Sequence, residues 1–186
     1  MSERSLVPLA FCVIREELIG EVGTIEYDFQ ILKLEDSFFE KYPDPPFKEI
    51  LKKRKRAYNC LLFQSHYDYF IGIPFRTKIS HPYAYHFKKS KRSLKYRSGL
   101  DYTKIIIVDK SEYISSQDAI IDKDEYNETV VQMGNIQREA LQYVEEYMAH
   151  IKGENLLHPM EFERKYGYST LRYFQKELGL TEEESS

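Results

Sequence analysis

The sequence predicts an α+β domain: a compact antiparallel sheet or half-open barrel with flanking helices and a helical C-terminal region. Three observations carry this expectation. Apolar, strand-like runs fill the first 110 residues. Turn-forming residues lie close enough between those runs for antiparallel pairing. The strongest helical periodicity comes only after residue 123. The 186 residues suit one domain with a full core. Its expected parts are an extra N-terminal strand pair (1–30), a core (31–180) and a frayed acidic tail (181–186).

Residues 7–14 and 24–33 read as a strand pair, with Gly20 and Gly23 between them. Asp36 and Ser37 open a short helix, which Pro43, Pro45 and Pro46 stop. Pro46 is then suited to begin a second helix, PFKEILKKRKR, whose basic C-terminal end complements the helix dipole. Ala57–Gln64 and Tyr67–Pro74 form an expected antiparallel pair around Ser65 and His66. Ser80–Gly99 reads as a long polar loop carrying Lys, Arg and Tyr, and loops of that length are usually functional or flexible. Gly99–Asp109 reads as one further strand. From Asp124 to Ile151 the residues Val130, Met133, Ile136, Ala140, Leu141, Val144, Tyr147, Met148 and Ile151 recur at helical spacing, and Gly153 stops that helix. Two shorter helices follow, Pro159–Tyr166 and Ser169–Leu178, with Ser169 as N-cap.

Composition narrows the function. The two cysteines, Cys12 and Cys60, both lie in apolar runs, which points to reduced thiols and a cytoplasmic protein. The longest apolar run, Leu6–Ile14, is too short to span a bilayer, so no membrane partner is expected. Net charge is −3, which alone argues against nucleic acid, but its distribution reverses that argument. Residues 48–104 carry 15 Lys and Arg against Glu49, Asp68 and Asp101. That segment is at +12 and the rest of the chain at −15. A one-sided basic block is an electrostatic footprint for a polyanion; part of it is equally explained as a solvated basic face.

No Gly-rich phosphate loop, HExxH or CxxC is present, and no carboxylate cluster beside the basic block suits Mg2+. No cofactor or metal is expected. RNA can still be cut by its own 2′-OH attacking the adjacent phosphate. An enzyme must then align the attack, neutralise the phosphorane and move two protons. Lys or Arg, a hydroxyl, and His or Lys serve those ends. They concentrate at Arg76, Thr77, Lys78, Ser80 and His81, directly after a strand that gives fixed support. Arg56 and Lys104 belong to neighbouring strand regions. Lys52, Lys53, Arg54, Lys55, Ser80, Lys88, Lys89, Lys91, Arg92, Lys95, Arg97 and Lys104 are candidate RNA contacts at the surface. Tyr83, Tyr85 and Tyr96 are candidate platforms for unpaired bases. His66, His86, His150 and His158 are expected to be structural.

At these residues the sequence resembles the toxins of type III toxin–antitoxin systems, the ToxN-like endoribonucleases, and within them the TenpN branch. Four blocks carry the resemblance. They are Arg56–Ala57–Tyr58; the run from Phe70 through Pro74, Arg76 and Thr77 to His81; Gly99–Leu100–Asp101–Tyr102–Thr103–Lys104 with Tyr113–Ile114–Ser115; and Tyr168–Ser169–Thr170–Leu171 with Glu177–Leu178–Gly179. The resemblance implies a barrel-like α+β fold. It implies metal-independent cleavage leaving a 2′,3′-cyclic phosphate and a 5′-OH. It also implies a repetitive RNA antitoxin that the toxin processes and holds in a closed toxin–RNA hetero-oligomer. Carried over residue by residue, it places Arg56, Arg76, Thr77, Lys78 and His81 in the catalytic set and Lys104 near it. Thr77 stands where the family usually has Ser, and Arg56 where some relatives have Lys. Arginine does not readily give up a proton, so Arg56 is assigned to phosphate clamping. Residues 1–30 have no counterpart in the family pattern. A non-catalytic RNA-binding module using the same basic surface is the competing expectation; a structural protein with an incidental basic face is the blandest.

Overall fold

The computed structural model describes residues 29–50, 59–67 and 69–181. Its centre is an antiparallel sheet that does not close into a barrel. β1 (Phe29–Leu34), β2 (Asn59–Gln64) and β3 (Phe70–Arg76) lie side by side, and β7 (Ile114–Asp118) flanks β1. The register Leu61↔Ile73 and Phe63↔Ile71 follows from the apolar patterning of both strands, since a slip by one residue would turn each set to the wrong face. Leu61, Ile71 and Ile73 are fully buried, each worth about 1.5–3 kcal/mol of transfer free energy.

The other edge of β3 is shared. β6 (Ile106–Val108) pairs with its first half and β5 (Gly99–Asp101) with its end, through Phe75↔Leu100 and Arg76↔Gly99. Between them the chain makes a 3-10 turn, Tyr102–Lys104. The single strand expected over Gly99–Asp109 is therefore two short strands with a turn. The Asp101 carboxylate caps that turn by accepting from the Thr103 backbone N–H at 3.0 Å.

The expected loop over Ser80–Gly99 is ordered. It contains β4 (Ala84–His86), paired with β5, and α2 (Lys91–Tyr96), capped by the Ser90 hydroxyl. Much of that order is imposed by α3 (Lys123–Ile151). The Glu128 carboxylate of α3 accepts from the backbone N–H groups of Lys88 and Lys89 and from the Tyr85 hydroxyl. Glu125 accepts from Ser98 and pairs with Arg92 at 2.8 Å. Burial raises the Glu125 carboxyl, with the Ser98 hydroxyl and Arg92 charge opposing.

α3 begins one residue before the expected start, capped by Asp122, and Gly153 after it takes a left-handed φ of 75°. Met133, Ile136, Ala140, Val144, Tyr147 and Met148 of its predicted stripe are buried, whereas Val130 and Ile151 are exposed. α1 (Asp36–Lys41) and α4 (Pro159–Tyr166) occupy their predicted places. The helix expected over Ser169–Leu178 is a 3-10 turn, Thr170–Tyr173, followed by further turns; Ser169 does cap it. The described part of the second predicted helix, residues 46–50, forms turns and a bend, and its basic end lies outside the described residues. So do Cys12 and nearly all of the predicted N-terminal strand pair. Its described end belongs to β1, whose pairing partners are β2 and β7. Among the described residues no helix is long and apolar enough to cross a membrane.

Candidate active site

β3 and β5 bring together a compact polar cluster at one end of the sheet. Arg76 pairs with Gly99, so Asp101, two residues along β5, sits diagonally across on the same face. Asp101 is fully buried and carries the ion pair with Arg76. It also accepts from the Thr103 hydroxyl at 2.6 Å and faces His81 Nε2 at 3.4 Å. Burial alone would raise the Asp101 carboxyl. The hydrogen bonds from His81 and Thr103 and the charges of Arg76 and His81 outweigh it and hold the carboxyl below its ordinary range. It is a fixed anion that orients two partly exposed basic side chains, with 27% of Arg76 and 32% of His81 left accessible.

His81 is held by more than Asp101. Its backbone carbonyl contacts His86 Nε2 at 3.0 Å, and its ring lies over Tyr83 at a centroid separation of 6.1 Å. Its Nδ1 is buried without a hydrogen-bond partner among the described residues. In an imidazole that gives its Nε2 proton to Asp101, Nδ1 is the accepting nitrogen. A base role for His81 therefore requires the ring to turn toward substrate.

Thr77 follows Arg76 at the strand end. It is half-buried, and its hydroxyl has no hydrogen-bond partner among the described residues. Lys78 is exposed and adopts φ 62°, fixed by its backbone N–H donating to Tyr96 O at 2.7 Å. Ser80 is also exposed. The cluster thus brings together Arg76 and His81 of the predicted catalytic set, while Thr77 and Lys78 follow Arg76 in the chain without a contact to Asp101 among the described residues. Arg56 and Lys52–Lys55 lie outside the described residues.

The remaining predicted contacts divide. Lys88, Lys89, Lys91, Lys95 and Arg97 are exposed, with no ion pair among the described residues. Arg92 is tied to Glu125. Lys104 does not fit the expected role of surface grip. It is 9% exposed, and its ammonium donates to Tyr168 O at 2.6 Å. Burial lowers its pKa, with Asp101 opposing. It braces the C-terminal region against the 3-10 turn that presents Asp101. Tyr85 spends its hydroxyl on Glu128, while Tyr83 lies between His81 and the Lys165 ammonium, 5.9 Å from its ring. The four other histidines behave structurally or lie at the surface: His150 accepts from Leu157 N–H, His158 caps α4, His86 contacts His81 O, and His66 lies 3.3 Å from Glu145.

Sequence reasoning passed over Asp101 as the hub. The available signal was its isolation: it is one of three acids in a segment of 15 bases. Lys165 and Thr103 were also missed, Lys165 because its proximity to Tyr83 depends on tertiary packing. Among the described residues no group of His, Cys, Asp and Glu is placed to hold a metal ion. No family model, curated protein or solved structure matches the chain.

Proposed function

We propose that the chain is a metal-independent endoribonuclease, acting as the toxin of a type III toxin–antitoxin pair and held by a repetitive RNA antitoxin in a closed complex. The observation that carries the reaction class is the Arg76–Asp101–His81 cluster, with the half-buried Thr77 next to Arg76 in the chain. The toxin role rests on the sequence resemblance. In the reaction the substrate's 2′-OH attacks the adjacent phosphorus, the P–O5′ bond breaks, and the products carry a 2′,3′-cyclic phosphate and a 5′-OH. Arg76 neutralises the phosphorane and Thr77 orients a non-bridging oxygen. His81, turned from its resting contact, moves a proton between the 2′-oxygen or the 5′-oxygen and solvent.

The test is incubation of the purified protein with single-stranded RNA in EDTA, with end-group analysis of the products. Thr77→Ala and Arg76→Ala are expected to cut about 100-fold more slowly. Intact RNA after incubation with the parent protein would sink the nuclease, and undiminished cutting by both variants would sink the assignment of its site to Arg76 and Thr77. Retention of uncut RNA would instead favour a binding module on the same basic surface.

A further inference from the structure

Beside the Arg76 cluster, the chain that leaves β3 at Thr77 crosses the end of α2. Lys78, Ile79, Ser80, Lys95, Tyr96 and Arg97 line an open cavity of about 270 Å3 there. Small-molecule pockets usually begin at roughly 300 Å3, so this one suits a single nucleobase or phosphate. Three of its six lining residues are cationic, none is acidic, and all three cations are exposed without an ion pair among the described residues. Tyr96 is 44% exposed, and Lys95 Nζ lies 5.1 Å from its ring centroid.

A helix C-terminus ordinarily repels an anion, because its last carbonyls are unsatisfied. Here two of the last four, and the carbonyl of the residue that follows the helix, are occupied. Ser93 O accepts from Arg97 N–H, Tyr96 O from Lys78 N–H, and Arg97 O from Ile79 N–H. Lys78 and Arg97 both hold left-handed backbone, φ 62° and 49°, in making that crossing. For non-glycine residues this costs roughly 1–3 kcal/mol each. The crossing brings Lys78 and Arg97 to the cavity that Lys95 and Tyr96 also line.

We propose that this cavity is a subsite for one nucleotide of single-stranded RNA, next to the phosphate held at Arg76. Tyr96 stacks the unpaired base, and Lys78, Lys95 and Arg97 neutralise its phosphate. Two residues of chain, at most about 7 Å, separate the Lys78 and Arg76 Cα atoms, so one strand can engage both places. The subsite rests on the nuclease reading for what lies at Arg76, and its own binding is measurable without cleavage.

The experiment titrates the full-length protein with a fluorescent, fully 2′-O-methylated single-stranded oligonucleotide, which cannot be cut by 2′-OH attack. Tyr96→Ala is expected to weaken binding about tenfold, as loss of one stacked base does. Tyr96→Phe keeps the ring and binds within twofold of the parent. Lys95→Gln with Arg97→Asn, asparagine being tolerant of the left-handed backbone at 97, lowers affinity and reduces its salt dependence. Lys152→Gln removes an exposed charge at the far end of α3 and changes little. With an oligonucleotide that is abasic throughout, the Tyr96→Ala effect disappears.

Equal affinity of the parent and Tyr96→Ala proteins would overturn the subsite, as would no binding by the parent. Cleavage of ordinary RNA with unaltered oligonucleotide affinity in these variants would leave the nuclease standing and remove the subsite. The predicted affinity losses without any cleavage would do the reverse.

Discussion

Asp101 concentrates the physical argument at the scale of single residues. A fully buried carboxylate is tolerated only when charges and donors surround it, and here Arg76, His81 and Thr103 do so. Asp101→Asn retains the shape but leaves the Arg76 guanidinium without its counter-charge. Breaking such a pair costs about 3–5 kcal/mol when buried. With Arg76 partly exposed, the expected loss is nearer 2–3 kcal/mol, read as a melting temperature lower by roughly 5–10 °C. The pH dependence has a definite sign. Because the folded carboxyl lies below its unfolded value of about 3.9, its stabilisation is fully present above that value and is lost as pH falls through the folded one. The stability gap between parent and Asp101→Asn should therefore be constant near neutrality and shrink only under acid conditions. A gap that stays constant into strong acid would show that Asp101 does not hold its charge as the geometry requires. Its neighbour Gly99 belongs to the same design: a Cβ there would come within 2.2 Å of Tyr85 O, so β4 and β5 can pair closely only around glycine.

Among the elements, those with local signals were legible in the sequence and those made by distant partners were not. β2 and β3 are apolar runs separated by a short polar turn, and α4 begins at a proline suited to the first helical turn. α3 announces itself through buried residues every three or four positions. The segment from 80 to 99 gave no comparable signal. Its strand is three residues long and its helix six, and they are held by carboxylates about 30–40 residues further along the chain. The site divides in the same way. Arg76, Thr77 and His81 stand out as a polar run at the end of a strand, whereas Asp101 meets Arg76 only through the β3–β5 register. Glu128→Ala tests the long-range element directly. It removes the acceptor for two backbone N–H groups and the Tyr85 hydroxyl, where a hydrogen bond to a charged group is worth about 1.5–3 kcal/mol. Amide exchange at Lys88 and Lys89 should accelerate at least tenfold while the middle of α3 stays protected. Unchanged protection at those two amides would show that the segment orders itself.

For the whole molecule the decisive quantity is which charges remain available after folding. The sequence assigns +12 to residues 48–104, but folding uses several of those cations internally. Arg76 shares its charge with Asp101 and keeps only 27% of its side chain open for a phosphate, Arg92 is tied to Glu125, and Lys104 is buried. Besides exposed Lys48, which precedes β2, six exposed cations without an ion pair among the described residues remain: Lys78, Lys88, Lys89, Lys91, Lys95 and Arg97. All six fall between β3 and β5, so they form one stretch of chain over the acidic first turns of α3. Each phosphate neutralised on a single strand contributes about −0.7 to the slope of log affinity against log salt. If all six engage, these residues account for a slope of about −4, with any contribution from residues 52–56 added to it. Replacing Lys88 and Lys89 together by Gln should make the slope shallower by about 1.4, measured from 50 to 300 mM salt on an uncleavable single strand. Arg92→Gln should leave the slope nearly unchanged, because that charge is already answered by Glu125, and should instead lower stability. A slope that falls as much for Arg92→Gln as for an unpaired lysine would mean that the RNA displaces the internal ion pair. The basic face would then be reorganised on binding instead of being set by the fold.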